Sequence, residues 1–276
     1  MNNDRFSRFL IHLWLALFFA YLFLPLVIMG AATFNASRFP TVTPWQGTTL
    51  QWFPALFNDG QMWRALRTSF IVGLLVVAIS LPVGLAASLI LSSLHSKARS
   101  FLYAVMISPL LTPGVIVGIS TLVFWRRFDV TGGIFLTVLA QASFIAAYVM
   151  LLVSARLSRF DRTLEEAALS LGATPAQAFR KVTLPYLRPA LLAAGFIAFL
   201  QSFENYNTTL FVRGVEETLT IYIAAKVRTG VTPAVNALGL IMIAATVAIA
   251  IAYEWNRRRR ERTRPTVLGE PVLATK

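Results

Sequence analysis

The chain contains no cysteine, which excludes a disulfide framework and thiolate chemistry but leaves the compartment open. Charge is also scarce. Charged residues make up 13% of 276, against about 25% in a soluble domain. The two histidines, His12 and His95, form no metal constellation. No P-loop pattern is present, so the chain has no ATP site of its own to offer. No convergent set of nucleophile, base and metal ligands points to an enzyme. What fills the space instead is apolar: 57% of residues are hydrophobic and the mean hydropathy is +0.66. So much apolar surface needs lipid or a very large core to cover it, which excludes an ordinary soluble domain.

Twenty-one Phe and six Trp suit lipid-facing surfaces and interfacial belts. The net charge of +13 could point to nucleic acid, but the basic residues lie between and after apolar runs, where topology signals belong. The tail from 256 to 276 carries Arg257 to Arg260, Arg262, Arg264 and Lys276, most simply a cytoplasmic anchor near anionic lipid.

A helical span needs about 20 predominantly apolar residues. Six stretches qualify: Ile11 to Gly30, Ser69 to Leu94, Phe101 to Phe124, Gly133 to Val153, Pro189 to Val212 and Asn236 to Trp255. The pattern predicts an all-α polytopic membrane protein. Pro25, Pro82, Pro109 and Pro113 fall inside these stretches and predict kinks or broken turns. The first stretch follows Arg5 and Arg8 as a secretory signal would. Its apolar run is long for a signal and five more follow, so it reads as a retained helix. With the N-terminus (1–10) inside, seventeen basic residues fall in inside segments and eight outside, which favours cytoplasmic location of both termini.

Two connections stand out. The external loop 31–68 contains Phe39-Pro40, Pro44-Trp45, Trp52-Phe53-Pro54 and Trp63. It is too aromatic for a plain linker and reads either as an interfacial anchor or as a partner contact. The internal loop 154–188 holds a helical pattern in which Leu164, Ala167, Ala168 and Leu171 form an apolar face. Glu165 and Glu166 lie in its first turn, where they suit the helix dipole. Gly172 offers a C-terminal stop, with Pro175 close behind. Such a helix docks against either the membrane surface or a protein.

The segment Glu166-Ala167-Ala168-Leu169-Ser170-Leu171-Gly172, followed after nine residues by Val182-Thr183-Leu184-Pro185, resembles the EAA loop of permease subunits in bacterial ATP-binding-cassette importers. The family pattern is EAA, three residues, Gly, nine residues, then Ile-x-Leu-Pro; Val182 replaces the Ile. The resemblance implies the six-helix type I importer permease architecture over 11–255 in the bacterial inner membrane. It also implies that Leu164, Glu165, Glu166, Ala167, Ala168, Leu171, Gly172, Leu184 and Pro185 couple the chain to an ATPase. Implied partners are two cytoplasmic ATP-binding-cassette subunits that use the ATP, a second and non-identical permease, and a periplasmic or lipid-anchored solute-binding protein. No cofactor is implied for this chain.

A narrower resemblance, to the spermidine/putrescine permeases, rests on several segments. They are Phe34-Asn35-Ala36-Ser37-Arg38-Phe39-Pro40, Ala178 to Pro185, Arg188-Pro189-Ala190, the spacing to Phe203, and Asn236-Ala237-Leu238. Many relatives carry an Asp-Asp pair after Ser-Phe in span five, where this chain has Glu204-Asn205. One acidic group in place of two keeps a cationic solute such as a polyamine in view. It leaves amino-acid derivatives, thiamine, iron or sulfate as alternatives, with a secondary transporter further off. An ionisable group inside an apolar run is costly unless it faces a cavity or a partner. Gln201, Glu204, Asn205, Tyr206, Asn207, Thr208 and Thr209 therefore read as a polar stripe along a translocation path. The rival reading puts Glu204 at the outer interface or against a partner's basic residue. Gln141 and Ser143 are weaker candidates that also fit simple helix–helix bonding.

Overall fold

The computed structural model describes residues 3–94, 97–229 and 233–262. The expected tail residues Arg264 and Lys276, and His95, lie outside them. The chain divides into two compact units, 1–58 with 229–276, and 59–228.

The first unit is built on two long helices, α1 (Asn3–Thr33) and a C-terminal helix (Pro233–Arg262) that pack on each other. Between them lies a short helix α2 (Trp52–Phe57) that also packs on the C-terminal helix. Close approach uses small residues: a Cβ on Gly239 would come within 3.1 Å of Met29. Small residues let backbones meet where lipid tails remove the hydrophobic drive to associate. Residues 34–51 are irregular, and fully buried Asn35 organises them. Its Nδ2 donates to the carbonyls of Thr41 (2.9 Å) and Pro44 (3.1 Å), and its Oδ1 accepts from the backbone N–H of Gln46 (2.9 Å) and Ser37 (3.3 Å). The Trp52 indole donates to its backbone carbonyl at 2.9 Å. One carboxamide thus saturates both its donors and its acceptor on a loop that has no sheet or helix to do so.

The second unit holds α3 (Gly60–Ser93), α4 (Lys97–Leu111), α5 (Gly114–Arg126), α6 (Ile134–Leu157), α7 (Thr163–Ser170) and α8 (Pro175–Phe203). Short helices α9 (Thr209–Val212) and α10 (Leu219–Thr229) close it; the helix 233–262 is then α11. The hub is α6. Two thirds (67%) of its most apolar stretch is buried, against 28% or less for every other long helix. Val138, Ile145, Val149 and Val153 of α6 meet Val72 and Val76 of α3 and Leu187, Ala194 and Ala198 of α8. Ser80, Gly84 and Ser88, spaced by four, are buried on α3. A Cβ on Gly84 would lie 2.6 Å from Val149 and 2.8 Å from the Ala146 carbonyl, so only glycine permits this contact.

Among the described residues, five helices are long and apolar enough to cross a membrane, and six if the bent pair α4–α5 is one span. This is the expected all-α, multi-pass fold, with three differences in its helix bounds. The third span breaks where Pro113 predicts: α4 and α5 meet at 99°, with Thr112 and Pro113 at the break. Proline cannot continue the ladder of hydrogen bonds, and Pro113 caps α5 instead. The helix of the second span starts at Gly60 rather than near Ser69, shortening the loop expected to be external. Asp59 starts it, its Oδ1 accepting from the N–H groups of Gln61 (2.9 Å) and Met62 (3.1 Å). The fifth helix stops at Phe203 and does not run to Val212. The last helix continues beyond Trp255 to Arg262, with Glu254 pairing Arg257 and Arg258 at 3.4 and 2.8 Å.

Candidate functional site

Two regions of the second unit carry the residues singled out from the sequence. The first is α7 and its flanks. Asp161 Oδ1 accepts from the Thr163 N–H (3.0 Å) and hydroxyl (2.8 Å), bonds that hold its carboxyl below the ordinary carboxylate value. Glu165 and Glu166 occupy the first turn. The helix ends in a Schellman motif: the Ala173 N–H reaches the Ala168 carbonyl (3.0 Å) and the Gly172 N–H reaches that of Leu169 (2.9 Å). Gly172 sits at φ +86°, a left-handed conformation that glycine adopts at no steric cost. Two residues later Thr174 and Gln177 form a reciprocal capping box, with Pro175 at the first helical position of α8.

The expected apolar face does form, and the described residues do not cover it. Leu164 and Ala167 are exposed, Leu171 is 89% exposed, and Ala168 is half-buried. Leu184 and Pro185 lie more than two turns into α8. Immediately before them Phe179–Thr183 widens into a π-helix, in which the Leu184 N–H bonds the Phe179 carbonyl. The wide turn precedes Pro185, whose missing N–H and bulky ring an ordinary α turn accommodates poorly. Sequence reasoning missed the clamp behind this segment. The Arg156 guanidinium of α6 lies 4.2 Å from the centroid of the Tyr186 ring, and Phe160 packs on the same ring at 5.0 Å. The Tyr186 hydroxyl donates to the Arg156 carbonyl at 3.4 Å. Arg162, at the start of α7, donates to the Ser92 carbonyl of α3 at 2.5 Å. α7 is therefore a short exposed helix whose two ends are fixed to long helices.

The second region is the break after α8. Glu204 caps the helix and is exposed. The chain turns there because Asn205 Oδ1 accepts from the N–H groups of Thr208 and Thr209 and from the Thr209 hydroxyl, each at 3.2 Å. The Asn205 side chain thus competes with the helix for backbone donors and wins. Thr208 is buried against α5: a Cβ on Gly118 would come within 2.7 Å of its carbonyl. The turn is locked from α6 by Gln141, fully buried, which donates to Thr209 Oγ1 (2.7 Å) and accepts from Ser202 Oγ (2.5 Å). Ser143 bonds only its own helix. Arg228 donates to the half-buried Tyr206 hydroxyl at 3.0 Å.

The polar stripe is thus a turn at a helix end, with Gln201 one turn before it and Glu204 and Asn207 exposed on it. The Glu204 backbone N–H bonds the Leu200 carbonyl at 3.0 Å, while its carboxylate makes no hydrogen bond or ion pair among the described residues. Beside it stands a cluster that sequence reasoning missed: Phe70, Phe199 and Phe203, with ring centroids 5.4 to 5.7 Å apart. The signal was present as Gly73, where a Cβ would meet the Phe199 ring at 2.8 Å, but a glycine in a span does not name its neighbour.

Broken apolar helices, an exposed capped helix between two of them, and a carboxylate at a helix break define a polytopic membrane transport component. The match to known proteins is consistent over most of the chain. Residues 80–262 match the model of the binding-protein-dependent transport system inner membrane component. The chain belongs to that family, as a permease subunit of an ATP-binding-cassette importer related to the spermidine/putrescine permeases. It is 32% identical to the putrescine transport system permease protein PotI of Escherichia coli K12, with 84% of each chain covered. It is 29% identical to the spermidine/putrescine transport system permease protein PotC of Haemophilus influenzae, over 88% of this chain and 95% of that one. The fold is similar to a bacterial ABC transporter involved in the import of the acidic polysaccharide alginate, at a TM-score of 0.68 and 15% identity, covering 94% and 98% of the chains. The family model and both sequence relatives are inner membrane or permease components, which places the chain among transport subunits in the inner membrane.

Proposed function

We propose that this chain carries a small cationic solute, a polyamine such as putrescine or spermidine, through the inner membrane as half of an ATP-driven pathway. The observation that carries the reading is Glu204, an exposed carboxylate with no partner among the described residues at the break after α8, next to Phe203 and its ring cluster. A carboxylate attracts an ammonium group, aromatic faces add cation–π attraction, and the rings accommodate the methylenes between two ammonium groups. The relatives at 28–32% identity are named for putrescine and spermidine. Glu204 and Asn207 supply the charge and the amide. Gln201, Asn205, Tyr206 and Thr208 shape the wall around them.

The ATPases engage α7. Leu164, Ala167, Ala168 and Leu171 present the apolar contact, Glu165 and Glu166 meet basic groups, and Gly172, Leu184 and Pro185 fix the exit. The 154–188 segment and both termini are cytoplasmic in this reading, and the 31–68 segment faces the periplasm. There it meets the membrane interface and a periplasmic or lipid-anchored binding protein. A second, non-identical permease completes the pathway, and two ATPase subunits drive alternating access between its two sides.

Glu204→Gln tests the solute. In cells that depend on this transporter, initial rates of labelled putrescine uptake should show KM raised by about ten-fold, the loss of one charge-assisted contact. Unchanged kinetics across the concentration range would remove Glu204 from the path.

A further inference from the structure

A cavity of about 450 Å³ opens where α3 and α6 end and α4 begins. Two guanidinium groups, Arg99 and Arg162, and four serines, Ser88, Ser92, Ser154 and Ser158, line its polar side; no carboxylate does. Leu91, Leu157 and Phe160 line the rest. Its volume is that of a small-molecule pocket, about 300–1,000 Å³. Ser88, Ser92 and Ser158 donate to carbonyls of their own helices. The Ser154 hydroxyl is buried, with no partner among the described residues. Arg162 spends one N–H on the Ser92 carbonyl, covering part of the negative end of α3, and a guanidinium has four more. The nearest acidic neighbour in the chain, Asp161, is turned to Thr163.

We infer that this cavity is a binding site for the phosphoryl headgroup of an anionic phospholipid, held by Arg99 and Arg162. Guanidinium groups donate to phosphoryl oxygens with charge-assisted bonds. The leucines and Phe160 beside them suit glycerol and the first methylenes of acyl chains, which a free phosphate ion would leave uncovered. Basic pockets between membrane helices on the cytoplasmic side take anionic headgroups in this way. The inference rests on the proposed orientation, in which this end of α3 and α6 is cytoplasmic. A headgroup here touches Arg162, next to the first residue of α7, and Phe160, which packs on Tyr186. Bound lipid therefore braces the segment that the ATPases engage.

The test uses the full transporter complex in nanodiscs of phosphatidylcholine, with phosphatidylglycerol titrated in and retained lipid counted by native mass spectrometry. Arg99→Gln should weaken phosphatidylglycerol retention by about ten-fold. Arg159→Gln, an exposed arginine outside the cavity, should leave it unchanged. Equal loss in Arg99→Gln and Arg159→Gln would mean diffuse surface attraction and would overturn the site. So would inorganic phosphate at millimolar concentration raising the thermal transition through Arg99 while phosphatidylglycerol does not, because the occupant would then be a free anion. Labelling of an Ala173→Cys variant with an impermeant maleimide reports the orientation separately. Labelling from the periplasmic side alone would refute the topology and, with it, the cytoplasmic source of the lipid.

Discussion

Single residues decide where helices begin and end in this chain. Asp59 starts α3 by accepting two backbone N–H groups, and the same carboxylate accepts from the Tyr222 hydroxyl at 2.8 Å and pairs with Lys226 at 3.4 Å. Burial would raise its carboxyl; the Tyr222 hydroxyl, the Met62 and Gln61 N–H groups and Lys226 outweigh that and hold it below the ordinary value. Burial and the adjoining carboxylate push the Tyr222 phenol up in turn. A carboxyl whose pKa is lower in the folded state stabilises the fold above its unfolded pKa, and that contribution fades as pH falls through the folded value. Asp59→Ala should therefore cost about 0.5–2 kcal/mol at neutral pH, the usual loss for a helix cap. The difference from the parent should shrink below about pH 4, the unfolded carboxylate range. Thermal unfolding in detergent at several pH values measures it; a cost that does not change with pH would assign the effect to lost packing.

At the scale of elements, the apolar runs were legible and the interruptions only partly so. Pro113 announced the break between α4 and α5, because a missing N–H is written into the residue type. The end of α8 at Phe203 was not announced, since the apolar run continues through Leu210, Phe211 and Val212. The deciding feature is the Asn205 side chain, which can serve either a helix face or a turn. The start of α3 was hidden by Gln61, Arg64 and Arg67, which look like loop yet form the polar first turns of a helix. α7 was the most legible element, because its acidic first turn, apolar face and glycine stop agree. Its uncovered leucines and Schellman exit make a sharp expectation. Gly172→Ala forces a Cβ into a left-handed backbone, a local cost of about 1–2 kcal/mol, although no atom lies within 4 Å to clash. The variant should insert normally yet lose transport-coupled ATP hydrolysis in the reconstituted complex. Normal stimulation of hydrolysis by solute would contradict the role given to α7.

For the whole molecule, the absence of cysteine makes topology directly measurable. Val215, 93% exposed in the loop between α9 and α10, and Ala173, at the exit of α7, lie on opposite sides of the membrane in this account. Single cysteines there should react with an impermeant maleimide from the outside and the inside respectively. Labelling of both from one face would break the proposed arrangement. The membrane class was readable from composition, the permease family from one loop, and the architecture from both together. The solute was not, because a single carboxylate specifies a cation and not its length.

The central claim meets its most direct test in proteoliposomes holding the complete complex, with ATP on the cytoplasmic side and the binding protein on the other. Labelled putrescine or spermidine should accumulate only when ATP is hydrolysed. Unlabelled polyamines should compete, and thiamine, sulfate or amino-acid derivatives should not. ATP-driven accumulation of one of those other solutes, with no polyamine uptake, would contradict the account.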